Sequence, residues 1–264
     1  MKLLTYFMLP LLGTMMFANC QTEKKYSTLV WSDEFNYTGA PDRTKWAFEQ
    51  GYIRNNEMQY YTNSRQNARV EGGNLVIEAL RDSSIIGSDT LRVTSASLNT
   101  HGKKDWTYGK IEVRAKIPSF LGSWPAIWML GSNIAEVGWP KCGEIDMMEN
   151  VGFDPDTMHF NIHTEAYNHV KKTNKGQRIY LKDPEADFHI YTLEWYKDRL
   201  DFYLDSKKVF TFKNEGKGTD VWPYDKSHYL ILNLAVGGAW GGAKGTDLNA
   251  LPQKFLIDYV RVYQ

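Results

Sequence analysis

The chain has 264 residues, 42% of them hydrophobic and 23% charged, with Lys plus Arg equal to Asp plus Glu at 31 each. This composition excludes a disordered or fibrous chain, and without a positive excess to neutralise a phosphate backbone, nucleic acid is not an expected partner. The 9 Trp, 16 Tyr and 12 Phe supply flat, partly polar side chains of the kind on which a sugar ring stacks.

Met1-Lys2 followed by the apolar stretch Leu3 to Ala18 reads as the basic and hydrophobic parts of an export signal, too short for a membrane span. Cys20 lies directly after it, where a bacterial lipoprotein would carry its lipid, although Asn19 stands where a small residue is usual. Residues 1–20 are therefore expected to be a signal peptide ending at a lipidated Cys20, and 21–28 a polar tether. The mature chain would be an outer-membrane lipoprotein of a Gram-negative bacterium, at the cell surface or in the periplasm, touching the membrane only through that anchor. Cys142 is the one other cysteine, so no disulfide framework exists, and a lone thiol reads as a small buried filler.

From Leu29 onward the sequence predicts one all-β domain, 29–264. Short strand-like runs are separated by Gly, Asn, Asp and Pro, with no long amphipathic helix. The clearest is Lys110 to Ile117, where Ile111, Val113, Ala115 and Ile117 alternate with Lys110, Glu112, Arg114 and Lys116, one face buried and one wet. Others are Leu75 to Leu80, Ser123 to Leu130, Met158 to Thr164, Phe188 to Tyr196, Leu200 to Phe212 around an Asp205-Ser206-Lys207 turn, Tyr229 to Val236, and Phe255 to Tyr263. So many short strands predict a sandwich of two antiparallel sheets, and nothing calls for more than a monomer.

The segment GEIDMMENVG from Gly143 to Gly152 places Glu144, Asp146 and Glu149 within six residues. On a regular strand Glu144 and Asp146 share a face and Glu149 points away. A β-bulge at Met147-Met148 would return Glu149 to the face of the other two. The two glutamates then stand about 13 Å apart along the backbone, and inward-leaning side chains could close this to the roughly 5 to 6 Å of a retaining glycosidase pair. Glu144 as nucleophile, Glu149 as general acid then base and Asp146 as the electrostatic partner between them is the reading this spacing favours. The competing reading is a calcium loop or a solvated acidic edge, but the EF-hand spacing is missing and Ile145, Met147 and Met148 interleave as in a strand.

Here the chain resembles glycoside hydrolase family 16, in its laminarinase-type branch, through E-x-D-x-x-E in GEIDMME. VWSDEFN from Val30, NNEMQYYT from Asn55, TYGKIEVRAKIP from Thr107, SWPAIWML from Ser123, NLAVGGAWGG from Asn233 and DYVRVYQ from Asp258 carry the resemblance across the domain. It implies a jelly-roll sandwich with a concave cleft. The implied activity is retaining endo-hydrolysis of β-1,3-glucan (laminarin), mixed-linkage β-1,3/1,4-glucan, or both, with no cofactor for catalysis.

Trp124 and Trp128, four apart on one strand, share a side, as a stacking platform or as core; the resemblance favours sugar contact for both. It also implies sugar contacts for Asn56, Glu57, Trp240 and His163, and a cleft position for Arg114, which by alternation could equally be a solvated sheet residue. Phe160-Asn161 departs from the Gly-Thr that such laminarinases carry before this histidine, which bears on linkage preference. His159 and His163 share a face but stand about 13 Å apart, too far for one zinc. The resemblance further implies a structural Ca²⁺ held by Glu34, Gly73 and Asp258, oxygen ligands that suit it. The alternatives are an agarase-like galactan hydrolase of the same family and a non-catalytic glycan-binding lipoprotein. All three acids are present, against the latter; G-x-S-x-G and P-loop motifs do not occur.

Overall fold

The computed structural model describes residues 26–83 and 92–264, with the backbone alone of 85, 86, 89 and 90. The expected leader, Cys20 and most of the expected tether lie outside the described residues.

Two sheets face each other. One runs, in order, Lys175–Tyr180, Thr157–His163, Glu144–Glu149, Ser123–Gly131, His228–Val236, Ser97–Asn99 and Ala47–Phe48. The other runs Lys207–Lys213, Arg199–Leu204, His189–Trp195, Gly109–Lys116, Gln253–Tyr263, Asn74–Arg81, Val93–Ser95 and Gln59–Tyr61, with Leu29–Asp33 and Ala68–Glu71 paired at its side. The pairing is antiparallel except between Gln59–Tyr61 and Val93–Ser95, and it joins strands far apart in sequence, as in Gly109–Lys116 with Gln253–Tyr263.

Alternation puts the core between them. In Gly109–Lys116 the side chains of Ile111, Val113 and Ala115 are fully buried while those between face out; they meet Ile127, Met129, Phe160, Leu232 and Leu234 from the opposite sheet. His228–Val236 is buried on both faces. Its residues Leu230, Leu232, Leu234 and Val236 join the main core, while Tyr229 and Ile231 pack with Ala126, Trp128, Leu130 and Cys142 on the other side of the sheet. Cys142 is thus the buried filler expected of it. The hairpin at 199–213 turns on Asp205 and Ser206 alone, both left-handed at φ 47° and 68°. Lys207 already belongs to the returning strand, because a two-residue turn of this type matches the strand twist.

The acidic strand is fixed at its end by Gly152, whose N–H donates to the Ser123 carbonyl at 2.9 Å. A Cβ there would lie 1.7 Å from the Phe120 carbonyl oxygen, so backbone must move. Gly152→Ala is expected to cost ~3 kcal/mol, the upper range for overpacking, measurable as a lower midpoint in urea denaturation.

Candidate active site

The bulge lies where chemistry required it. Against Ser123–Gly131, Ile127 pairs with Met148 and Trp128 with Asp146, so Met147 has no partner. Against Thr157–His163, Asp146 pairs with Asn161 and Glu149 with His159, so two methionines stand opposite Phe160. Ile145, Met147 and Met148 all enter the core, adjacent methionines fitting because the thioether chain is unbranched and adaptable. Glu144, Asp146 and Glu149 in consequence all line one cleft of about 1150 Å³ on the outer face of this sheet.

Each acid is held by a different neighbour. The Trp139 indole N–H donates to Glu144 Oε2 at 2.7 Å, and the Tyr224 hydroxyl donates to the Glu144 carbonyl at 3.0 Å. Trp124 N–H donates to Glu149 Oε1 at 3.0 Å, and the Asn161 amide to Oε2 at 3.4 Å. His163 Nε2 lies 3.3 Å from Asp146 Oδ2 and 3.7 Å from Glu144 Oε1. Burial, with like charge close by, raises all three acids: Glu144 to about 8, Glu149 to about 7 and Asp146 well above its usual range. The three titrate as one set, so near neutral pH the cluster keeps protons and can present an acid and a carboxylate together. Glu144, Asp146 and His163 also form a group whose ligand atoms lie within 4.8 Å of one another.

Losing the Trp124 donor removes a hydrogen bond that favours ionised Glu149. Trp124→Phe should therefore raise that acid and move the alkaline limb of the kcat/KM profile upward by ~0.5 to 1 pH unit, the equivalent of one hydrogen bond.

The wall residues divide into those that line the cleft and those that do not. Trp124, Trp128, Glu57, His163 and Trp240 line the cleft. Trp240 sits in the turn after Gly237 and Gly238, which are left-handed at φ 70° and 78°, and its ring meets Trp124 edge to face at 5.3 Å. Trp128 is only 8% exposed, donates to Asn233 at 2.7 Å and lies under the Arg54 guanidinium; it is cleft floor and not an open platform. Glu57 is buried and takes hydrogen bonds from Asn55, Gln59 and Tyr61.

Asn56 is exposed and outside the lining, which Asn55 joins instead. Both asparagines are left-handed, and this tight reversal turns the first side chain toward the cleft and the second away. Arg114 does not reach the cleft: Gly109–Lys116 is in the other sheet, and its guanidinium pairs with Asp258 at 2.6 Å. The residues of the expected calcium set make contacts of their own. Glu34 is held by Arg261 through two hydrogen bonds at 3.0 and 2.7 Å, and Gly73 is a turn residue at φ 77°. Each of the two carboxylates is engaged by a guanidinium, Glu34 by Arg261 and Asp258 by Arg114.

Trp139, Arg54, Arg178 and His169 also line the cleft, none of them singled out in the sequence. Trp139 carried a signal: an aromatic in the short connection just before the acidic strand has no core strand to serve.

The sequence profile of Glycosyl hydrolases family 16 matches residues 54–261. A β-glucanase of Rhodothermus marinus is 44% identical over all of this chain and 95% of its own length. Among solved structures, SCLam, a non-specific endo-β-1,3(4)-glucanase carrying an oligosaccharide at its active site, is 48% identical, with a TM-score of 0.86 over 91% of this chain and 95% of that one. The laminarinase from Rhodothermus marinus is 44% identical, with a TM-score of 0.85 over 90% of this chain and 97% of that one.

Proposed function

The chain belongs to glycosyl hydrolases family 16, and from that premise we propose that it is a retaining endo-β-glucanase cutting internal bonds of β-1,3-glucan, and of mixed-linkage β-1,3/1,4-glucan where the cleft admits it. The observation that carries this reading is the bulged strand that sets Glu144, Asp146 and Glu149 side by side in a Trp-walled cleft.

The Glu144 carboxylate attacks the anomeric carbon as the glycosidic bond breaks, and the departing oxygen takes the proton of Glu149. The sugar is now an ester of Glu144. Glu149, left as a carboxylate, takes a proton from a water that attacks the same carbon, the ester bond breaks, and Glu144 is restored with the anomeric configuration retained. Protonated Asp146 donates to the leaving and returning Glu144 carboxylate, and Trp139 holds its other side. Trp124 keeps Glu149 directed at the glycosidic oxygen.

The test is the product profile on laminarin, barley mixed-linkage glucan, lichenan, carboxymethyl cellulose and agarose, with the anomer followed by NMR. Short β-configured oligosaccharides from the first three support the reading, and cleavage of agarose alone would transfer it to a galactanase. We further propose export and lipidation at Cys20, for which Cys20→Ala should move the protein from the detergent phase to the aqueous phase. A calcium ion at Glu34, Gly73 and Asp258 would have to displace Arg261 and Arg114; a calcium-dependent rise in Tm that Glu34→Gln abolishes would place it there.

A further inference from the structure

We infer that His159 is a sugar-binding residue of this cleft, its Nε2 pairing with a hydroxyl of a glucosyl unit next to the bond that Glu149 protonates. The inference rests on the endo-glucanase reading and deepens it.

His159 is 8% exposed and lines the cleft. Its Nε2 is buried without a hydrogen-bond partner in the protein, a cost that native structures rarely carry unless a ligand or water completes the site. Register fixes where that nitrogen lies. Ala126, Glu149, His159 and Arg178 stand opposite one another on four neighbouring strands, so the imidazole is the cross-strand neighbour of Glu149. Directly paired residues have Cβ atoms roughly 5 Å apart, within the span of one sugar ring. Trp240 packs edge to face on the ring at 4.8 Å and fixes its plane.

The partner's chemistry follows from the state of the ring. Burial and Arg178 hold its pKa down to about 4, so the imidazole is neutral wherever the cluster works. A neutral imidazole offers either a donor or an acceptor at Nε2 according to tautomer, and a hydroxyl answers both. An anion would answer only one. Arg178, on the exposed edge strand Lys175–Tyr180, also lines the cleft and supplies a donor to the neighbouring oxygen of the same sugar.

His159→Gln and His159→Met separate polarity from shape, since the two side chains are of similar length and only one hydrogen-bonds. On laminaritetraose, Met is expected to lower kcat/KM ~10-fold, mostly through KM, and Gln to stay within ~3-fold of wild type, the scale of one neutral hydrogen bond. Tm and the pH profile should be unchanged in both. If Met does not fold, His159→Phe, flat but without ring nitrogens, replaces it. Laminaritetraose binding in a Glu144→Gln background repeats the comparison without turnover. Equal activity of Gln and Met at wild-type Tm, or equal loss in both, overturns the inference. A wild-type protein that cuts none of the glucans instead removes the reading beneath it, and is seen before any variant is compared.

Discussion

Glu144→Gln is expected to lower kcat on laminarin by more than ~10⁴-fold, the scale of removing a covalent nucleophile, while KM stays within a few-fold. The amide keeps the shape and the Trp139 contact but cannot form the glycosyl ester. The same substitution should stabilise the fold at alkaline pH. In the folded protein the Glu144 carboxyl is raised to about 8 by burial and by Asp146, against about 4.3 in an unfolded chain. A group raised in this way favours folding fully below its unfolded value, and that contribution disappears as pH rises through the folded one. At pH 8 the native protein therefore carries a destabilising carboxyl, and Gln removes it for a gain of up to ~5 kcal/mol, about 1.36 kcal/mol for each pH unit between the two values. Thermal melts at pH 5 and pH 8 check the sign: the variant should gain at pH 8 and gain little at pH 5. A variant that turns over at near wild-type rate would sink the assignment of the nucleophile.

Glu149→Ala should lower kcat on laminarin ~10³-fold, within the span of general acid catalysis, and azide should restore part of the loss on an aryl β-laminaribioside. An aryl leaving group departs without a proton, so Glu144 still forms its ester; water is then too poor a nucleophile without a base, and azide is not. Azide breaks the ester at the anomeric carbon with a second inversion, so the product is the β-glycosyl azide. An α-azide would mean that Glu144 never bonded the sugar, and no rescue would mean that Glu149 does not serve as the base.

The legible part of the fold is the part that alternates. Lys110 to Ile117 reads directly as a half-buried strand, and Gly109–Lys116 confirms it. Lys175–Tyr180 does not announce itself, because KGQRIY lies at a sheet edge where only Ile179 is less than exposed and packs against the core. Gln59–Tyr61, Val93–Ser95 and Ser97–Asn99 are three residues each, too short for a period to register. Arg114 shows the limit in the site: alternation says that it faces out, and only sheet pairing says which outside. Asn56 shows another, since a left-handed pair swaps which asparagine points inward. The acids were the reverse case, where the demand that three carboxyls meet predicted a departure from alternation that no propensity would have suggested.

That departure acts on the strand as a one-base insertion acts on a reading frame. Everything after Met147-Met148 is read in the opposite parity to its residue number, because the bulge counts the two methionines as one position. Exchanging either methionine for another unbranched apolar residue leaves the message intact. Deleting one methionine would remove the bulge and leave Glu-Ile-Asp-Met-Glu in plain alternation, with Glu149 still on the cleft face opposite His159; keeping both methionines but straightening the strand would instead send Glu149 into the core. What is held at this place is the face that each carboxyl takes, and the bulge is what lets a second methionine be absorbed without changing it.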